Sequence, residues 1–240
     1  MVYEIAGLRI DVQNKYDYTT KFCRAYLSSD SLSPVDFSVS VTDEEIEEER
    51  NHSPGFSDGY VENICLYRKL CYQATRHNRM LLHCSVLSHD GKGYAFLGRS
   101  GTGKSTHTRL WLKYLSGAKI INGDKPILER KTDGFIAYGT PWRGKENWGE
   151  NSSVSLNGLC FLEQAKENSI CRLSPAETVK RLMMQILLPP DEDHATATLE
   201  MADELIRLVP AYLLRCDISE EAVKTSFEAL TGKAYEKEKL

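Results

Sequence analysis

No run in this 240-residue chain approaches about 18 consecutive apolar residues, and the opening Met1-Val2-Tyr3-Glu4-Ile5 has neither the basic start nor the long apolar segment of an export signal. The sequence therefore predicts a protein that is neither membrane-spanning nor exported. A basic cluster is also missing: the formal net charge is −4 and the lysines and arginines are scattered, which argues against nucleic acid or an anionic membrane as a partner. The seven cysteines (Cys23, Cys65, Cys71, Cys84, Cys160, Cys171, Cys216) are odd in number and include no C-x-x-C pair, and no His/Cys spacing suits zinc. Several lie within apolar runs and read as free thiols acting as small hydrophobes, which fits a reducing, cytoplasmic setting. Repeats and low-complexity linkers are absent too. With 41% hydrophobic residues, the chain has material for a full core, in one domain or one domain with a small appendage.

What is present is Gly98-Arg99-Ser100-Gly101-Thr102-Gly103-Lys104-Ser105, which satisfies G-x-x-x-x-G-K-[ST] at every fixed position. The apolar Gly93-Tyr94-Ala95-Phe96-Leu97 before it reads as a buried strand, and Leu110, Trp111, Tyr114 and Leu115 after it recur at helical spacing. Glycines let successive main-chain N–H groups turn inward, and the new helix adds the positive end of its dipole, so a polyphosphate can be held by backbone. In that reading Gly98, Ser100, Gly101, Thr102 and Gly103 cradle the phosphates of ATP. Lys104 reaches the outer phosphates, Ser105 binds Mg²⁺, and Thr106 offers a second hydroxyl. The plain alternative is a glycine-rich turn with a solvated lysine.

Ahead of the loop, Tyr3, Ile5, Leu8, Ile10 and Val12 alternate around Gly7, the pattern of a half-buried strand with a bulge or turn, and Phe37, Val39 and Val41 alternate similarly. The dense acidic run Asp43 to Glu49 reads as a solvated, mobile face, with a docking surface for a basic peptide as the alternative. Tyr60, Ile64, Tyr67, Cys71 and Ala74 share one helical stripe. Leu81 to Ser88 reads as a buried strand, and His89-Asp90-Gly91-Lys92 as a hairpin turn before the strand that feeds the loop. A phosphate loop reached through a hairpin argues for a mixed sheet in an α/β fold. Taken alone, His83 on that strand is a satisfied core imidazole.

A histidine fifteen residues before the first loop glycine, a hairpin between, and an acidic tip on the strand after the loop helix together resemble the catalytic domain of the HPr kinase/phosphorylase family. The likeness has motif-level support over roughly residues 81 to 128 and extends more weakly to about Cys171. It implies a mixed-sheet P-loop kinase of phosphoenolpyruvate carboxykinase-like architecture, with a small β-rich portion ahead of it. It also implies that His83 lies beside the phosphate site and assists the acid after the loop helix. That strand ends in Asn122-Gly123-Asp124, where the family carries two consecutive aspartates associated with Mg²⁺ and with activating the attacking hydroxyl. Only Asp124 remains, to do one job or both. A strand-end carboxylate opposite Ser105 is also what a phosphate-loop site requires for its metal, and the alternative for Asp124 is an Asx turn.

Residues 139 to 151 hold Trp142, Arg143, Lys145 and Trp148 in a glycine-rich loop, a costly composition to leave without purpose. Arg143-Gly144 resembles the Arg-Gly of the family's signature loop, while Pro141 stands where the family has a metal-associated Glu. Arg143 or Lys145 would neutralise charge on the transferring phosphoryl group, unless the loop is structural and pinned by Trp142. Farther on, Gly158 to Glu163 reads as a strand partnered by Ile170 to Leu173. Ser174-Pro175-Ala176-Glu177 opens a helix that runs past Ile186 to Pro189, with Met183 and Met184 as core filling. Leu199 to Val209 reads as a helix, Ala211 to Cys216 as a strand, and Val223, Phe227 and Leu230 as a last helix closed by Gly232. The expected organisation is a β-rich portion over 1–59, a P-loop kinase-like domain over 60–232 and an exposed charged tail over 233–240. The expected activity is ATP- and Mg²⁺-dependent phosphotransfer to a hydroxyl, a serine of a peptide, a protein or a small molecule. Loss of two family carboxylates at Gly123 and Pro141 leaves a nucleotide-binding regulatory protein as the alternative. A homo-oligomer is compatible with the sequence.

Overall fold

Ala6 and Gly7, both in the left-handed region (φ 53° and 70°), turn β1 (Val2–Ile5) back onto β2 (Leu8–Gln13), so the alternating start is an antiparallel hairpin. The computed structural model describes residues 1–30 and 32–236. After α1 (Asp17–Phe22), β3 (Phe37–Ser40) joins β2 in parallel and completes a three-stranded sheet. The acidic run forms the start of α2 (Asp43–His52), and Asp43, Glu44, Glu47 and Glu48 are exposed, so the run is a solvated face carried on a helix. Thr42 and Glu45 form a reciprocal capping box, three acids sit at the positive end of the helix dipole, and Ile46 and Glu49 are buried. Glu49 meets Arg68 of α3 (Asp58–Ala74) at 2.9 Å. The apolar stripe of α3, with Val61, Leu66 and Leu70, closes over Tyr3, Ile5, Ile10 and Val39 of the small sheet.

The second sheet has nine strands. In chain order they are β4 (Arg79–Leu81), β5 (Cys84–His89), β6 (Lys92–Leu97), β7 (Lys119–Asn122), β8 (Ile127–Lys131), β9 (Gly134–Tyr138), β10 (Ser153–Gln164), β11 (Ser169–Arg172) and β12 (Ala211–Cys216). The order across the sheet is β4-β8-β9-β10-β6-β5-β7, with β12 also on β10 and β11 on β12. It is mixed, as the hairpin implied: β10 runs parallel to β6 and β12, while β5 is antiparallel to β6 and β7. Asp90 and Gly91, with φ 50° and 72°, make the two-residue turn between β5 and β6. The α4 helix (Lys104–Tyr114) and α7 (Glu220–Thr231) cover one face through Trp111, Val223 and Phe227. Leu182 of α5 (Pro175–Leu182) and Met201 and Leu205 of α6 (Glu192–Leu208) cover the other.

Several expectations are corrected. The apolar stretch from Leu81 is broken at Leu82-His83, because Leu82 bridges Ile186 and the His83 N–H donates to Gln185 O at 2.7 Å instead of extending β5. For the same reason α5 stops at Leu182, and Ile186 lies in that bridge. β11 pairs with β12, which intervenes between it and β10. Asp191 caps α6 and starts it seven residues before Leu199. Met183 and Met184 are 38% and 53% exposed and fill no core. The start of the charged tail folds back: Lys233 reaches Asp90 at 2.7 Å and the Tyr235 ring lies 6.1 Å from that of Phe227, while residues 237–240 of that tail lie outside the described residues. All seven cysteines are free, five of them buried. Among the described residues, no helix is long and apolar enough to cross a membrane.

Candidate active site

β5 runs antiparallel between β6 and β7, so its first residues lie at the carboxyl ends of both neighbours. Cys84 pairs with Leu97 at the end of β6, and its N–H donates to Asp124 O at 3.0 Å just past β7. The phosphate loop follows β6, Asp124 follows β7, and His83 precedes β5. Strand direction alone therefore gathers the three segments on one edge of the sheet.

Between β6 and α4, Gly98, Gly101 and Gly103 have φ of 154°, 84° and 102°, conformations that a side chain would strain. The loop is braced from within by Thr102, whose hydroxyl donates to Arg99 O at 2.9 Å, and from outside by Gln164, whose amide donates to Gly101 O at 3.0 Å. Gly103 offers α4 no side-chain cap, which leaves the helix's first N–H groups for a ligand. Lys104 folds over the loop, and its ammonium donates to Gly98 O at 2.7 Å. Burial lowers the pKa of Lys104 and the charge of Asp124 opposes that shift, so this is a partly desolvated ammonium and not a solvated turn lysine. Ser105 and Thr106 are half-buried in the first turn of α4, and Ser100 is exposed.

His83 Nε2 stands 3.1 Å from Asp124 Oδ1, and Lys125 Nζ pairs with the other carboxylate oxygen. Burial alone would raise the carboxyl pKa, but the bonds from His83 and Lys125 outweigh it and hold Asp124 at about 2. The Asx turn belongs to Asn122 instead. Its fully buried side chain accepts from the N–H groups of Asp124 (2.9 Å) and Lys125 (2.7 Å) and donates to Thr140, which frees the Asp124 carboxylate for the site. Gly123 sits against the 139–151 loop: a Cβ there would come within 3.0 Å of Arg143 O and 3.2 Å of Trp148 O. Its N–H donates to Trp148 O at 2.9 Å.

The loop over residues 139 to 151 is anchored by Trp142, whose ring packs at a tilt against Tyr67 with centroids 4.5 Å apart and whose indole donates to Asn63 at 3.0 Å. Gly144 is the residue in contact with Asp124, since a Cβ on it would lie 2.8 Å from Asp124 Cβ. The Arg143 guanidinium lies 5.8 Å over the Tyr26 ring, and Lys145 is exposed. Sequence reasoning missed Lys125, although it directly follows Asp124, because a lysine beside an aspartate reads as a solvated pair. It gave no site role to Asn122 or Tyr67, which stood in a strand end and on a helical stripe, and it did not single out Tyr26.

Among the described residues, no group of three or more His, Cys, Asp or Glu side chains is gathered to hold a metal ion. Asp124 is nevertheless an ionised oxygen donor beside the loop that carries Ser105, a donor set suited to Mg²⁺ when phosphate oxygens complete the shell.

No protein-family model matches the chain, and no curated protein matches it. Among solved structures, it is similar to the HPr(Ser) kinase/phosphatase from Coxiella burnetii at 12% sequence identity, over 63% of this chain and 93% of that one, with a TM-score of 0.34. That is a distant structural relationship.

Proposed function

We propose that the chain is a P-loop kinase, of the phosphoenolpyruvate carboxykinase-like architecture its sequence resembles, that transfers the γ-phosphoryl group of ATP to an alcohol. The observation that carries this reading is the convergence of the glycine loop and Lys104 with the His83–Asp124 pair on one sheet edge. Lys104 and Lys125 set two ammonium groups around a single carboxylate, an excess of positive charge that suits a polyphosphate. Loop N–H groups between Gly98 and Gly103, apart from that of Thr102, which donates to Arg99 O at 3.2 Å, hold the phosphates, and Lys104 leaves the Gly98 carbonyl for the outer ones. Ser105 and Asp124 would hold Mg²⁺, which supplies charge neutralisation on the phosphates when bound. The acceptor oxygen forms a bond to the γ-phosphorus, the bond to the β-phosphate oxygen breaks with its electron pair leaving on ADP, and the hydroxyl proton passes to the His83–Asp124 pair. A carboxylate held at about 2 is a weak proton acceptor, which favours His83 for the proton and Asp124 for orienting it. Lys145, exposed on the loop, would screen the phosphates from the solvent side.

The tight seat of Gly123 against Arg143 and Trp148 favours a second reading. A second carboxylate cannot stand there without moving the loop, as a nucleotide sensor without transfer chemistry would tolerate. Incubation with labelled ATP and a panel of hydroxyl acceptors separates the two: transfer of label establishes the kinase, and tight ATP binding without transfer or phosphate release establishes the sensor.

A further inference from the structure

Ser105 and Asp124 stand on different pieces of backbone. Ser105 lies in the first turn of α4, while Asp124 follows β7 and has Gly144 against it, a Cβ on Gly144 coming within 2.8 Å of Asp124 Cβ. Gly144 opens a tight turn: the Asn147 N–H donates to Gly144 O at 3.2 Å, and Asn147 is in the left-handed region with φ 51°. Lys145, Glu146 and Asn147 are exposed. Among the described residues their side chains make one ion pair with the rest of the molecule, that of Glu146 with Arg109 Nη2 of α4 at 3.8 Å.

Beyond this turn the chain is fixed by backbone. The Gly123 N–H donates to Trp148 O at 2.9 Å, the Glu150 N–H donates to Ile121 O at 3.3 Å, and Asn122 bridges Gly149, so residues 148–150 lie along the edge of β7. Gly149 permits that approach, since a Cβ there would come within 2.8 Å of Ile121 O. Trp148 is thereby held half-buried, and the Arg109 guanidinium lies over its ring, 5.3 Å from the centroid. Arg109 thus touches the loop on both sides of Asn147. It also stands four residues after Ser105, on the same face of α4. The Arg109 side chain is 62% exposed, so each contact alone is weak, and their weight comes from what they join.

Resting on the phosphotransfer reading above, we propose that Arg109 is a positioning residue: seated on Trp148 and paired with Glu146, it ties the Gly144–Asn147 turn to the nucleotide helix and so holds Asp124 in place opposite Ser105. It acts through the turn and not by touching nucleotide or metal.

The test is calorimetry of ATP binding to the full chain, once with Mg²⁺ and once with EDTA. In the parent, Mg²⁺ should tighten binding. Arg109→Ala should cut that gain by about three- to tenfold, while metal-free ATP affinity and melting temperature stay unchanged. Arg109→Lys keeps a charge over the ring and should fall between. Trp148→Leu should cut the gain similarly, and the double variant should lose no more than the worse single one, because both act through one contact. Trp111 and Trp142 are buried, so acrylamide quenching of the nucleotide-free chain reads Trp148; it should rise in Arg109→Ala, which keeps the contact testable where Trp148→Leu does not fold. An undiminished gain in Arg109→Ala, additive losses in the double variant, or unchanged quenching overturns the positioning role. An equal loss of metal-free affinity shows that Arg109 binds the nucleotide itself and overturns it too. A parent chain that does not bind ATP, or binds it no more tightly with Mg²⁺, overturns the phosphotransfer reading and this inference with it.

Discussion

Asp124 Oδ1 stands 3.1 Å from His83 Nε2 across 41 residues of chain, and the contact exists because β5 runs against both β6 and β7. The carboxylate is shared: its other oxygen takes Lys125, so it orients the imidazole while the ammonium keeps it ionised. Substituting either member should therefore affect turnover differently. On the proposed mechanism His83→Ala removes the proton acceptor and should slow turnover by at least about tenfold with ATP affinity retained. Asp124→Asn keeps an oxygen for Mg²⁺ but loses the charge, and should slow turnover and weaken metal dependence together. Steady-state rates and ATP titrations on both variants check this, and near-normal turnover in His83→Ala would return the histidine to a structural role.

Lys104 is the second target. Its ammonium is partly desolvated over the loop, so a phosphate partner gains a charge-assisted bond where water competes weakly. Lys104→Ala should weaken ATP–Mg²⁺ binding by about 10- to 100-fold, corresponding to roughly 1.5–3 kcal/mol, with the fold intact. Calorimetry reads the change directly, and unchanged affinity removes this lysine from the phosphate site.

Gly144 combines a φ of 74° with contact against Asp124. A methyl group there would press on Asp124 Cβ at 2.8 Å and displace the carboxylate. Gly144→Ala should lower turnover more than ATP affinity, because the phosphate loop lies on other segments. Equal losses in both would show that the damage spreads through the 139–151 loop.

His107, on the buried face of α4, supplies a pH signature away from the site. Its Nε2 meets Ser226 Oγ at 3.0 Å, its Nδ1 has no partner among the described residues, and burial lowers its pKa to about 4. The folded protein thus holds it neutral while the unfolded chain takes up a proton below about 6.5. Stability from this group is full above that value, is lost as the pH falls toward about 4, and does not decline further below it. The loss amounts to about 3 kcal/mol over that window. Urea unfolding at pH 7, 5.5 and 4 should show a shallower pH dependence in His107→Gln than in the parent chain.

The glycine turn between β6 and α4, the hairpin that feeds it, the mixed sheet and the Asp just past β7 were legible in the sequence, because each is specified locally. Glycine spacing, an Asp-Gly turn and a short apolar run carry their meaning within a few residues. The acidic run is solvated as its charge implied, but the helix it opens was not legible, because that helix depends on the Thr42–Glu45 capping box and on Ile46 docking under α3, and charge density hides both. Met183 and Met184 were misread because helical spacing alone cannot tell which face a neighbour covers. Only the tertiary structure decided the partners. Strand direction brought His83 to Asp124, the Asn122 turn freed the carboxylate, and a tyrosine 117 residues away in sequence received the Arg143 guanidinium. Contacts of that length depend on how strands are ordered across a sheet, and residue spacing along a single chain does not fix that order.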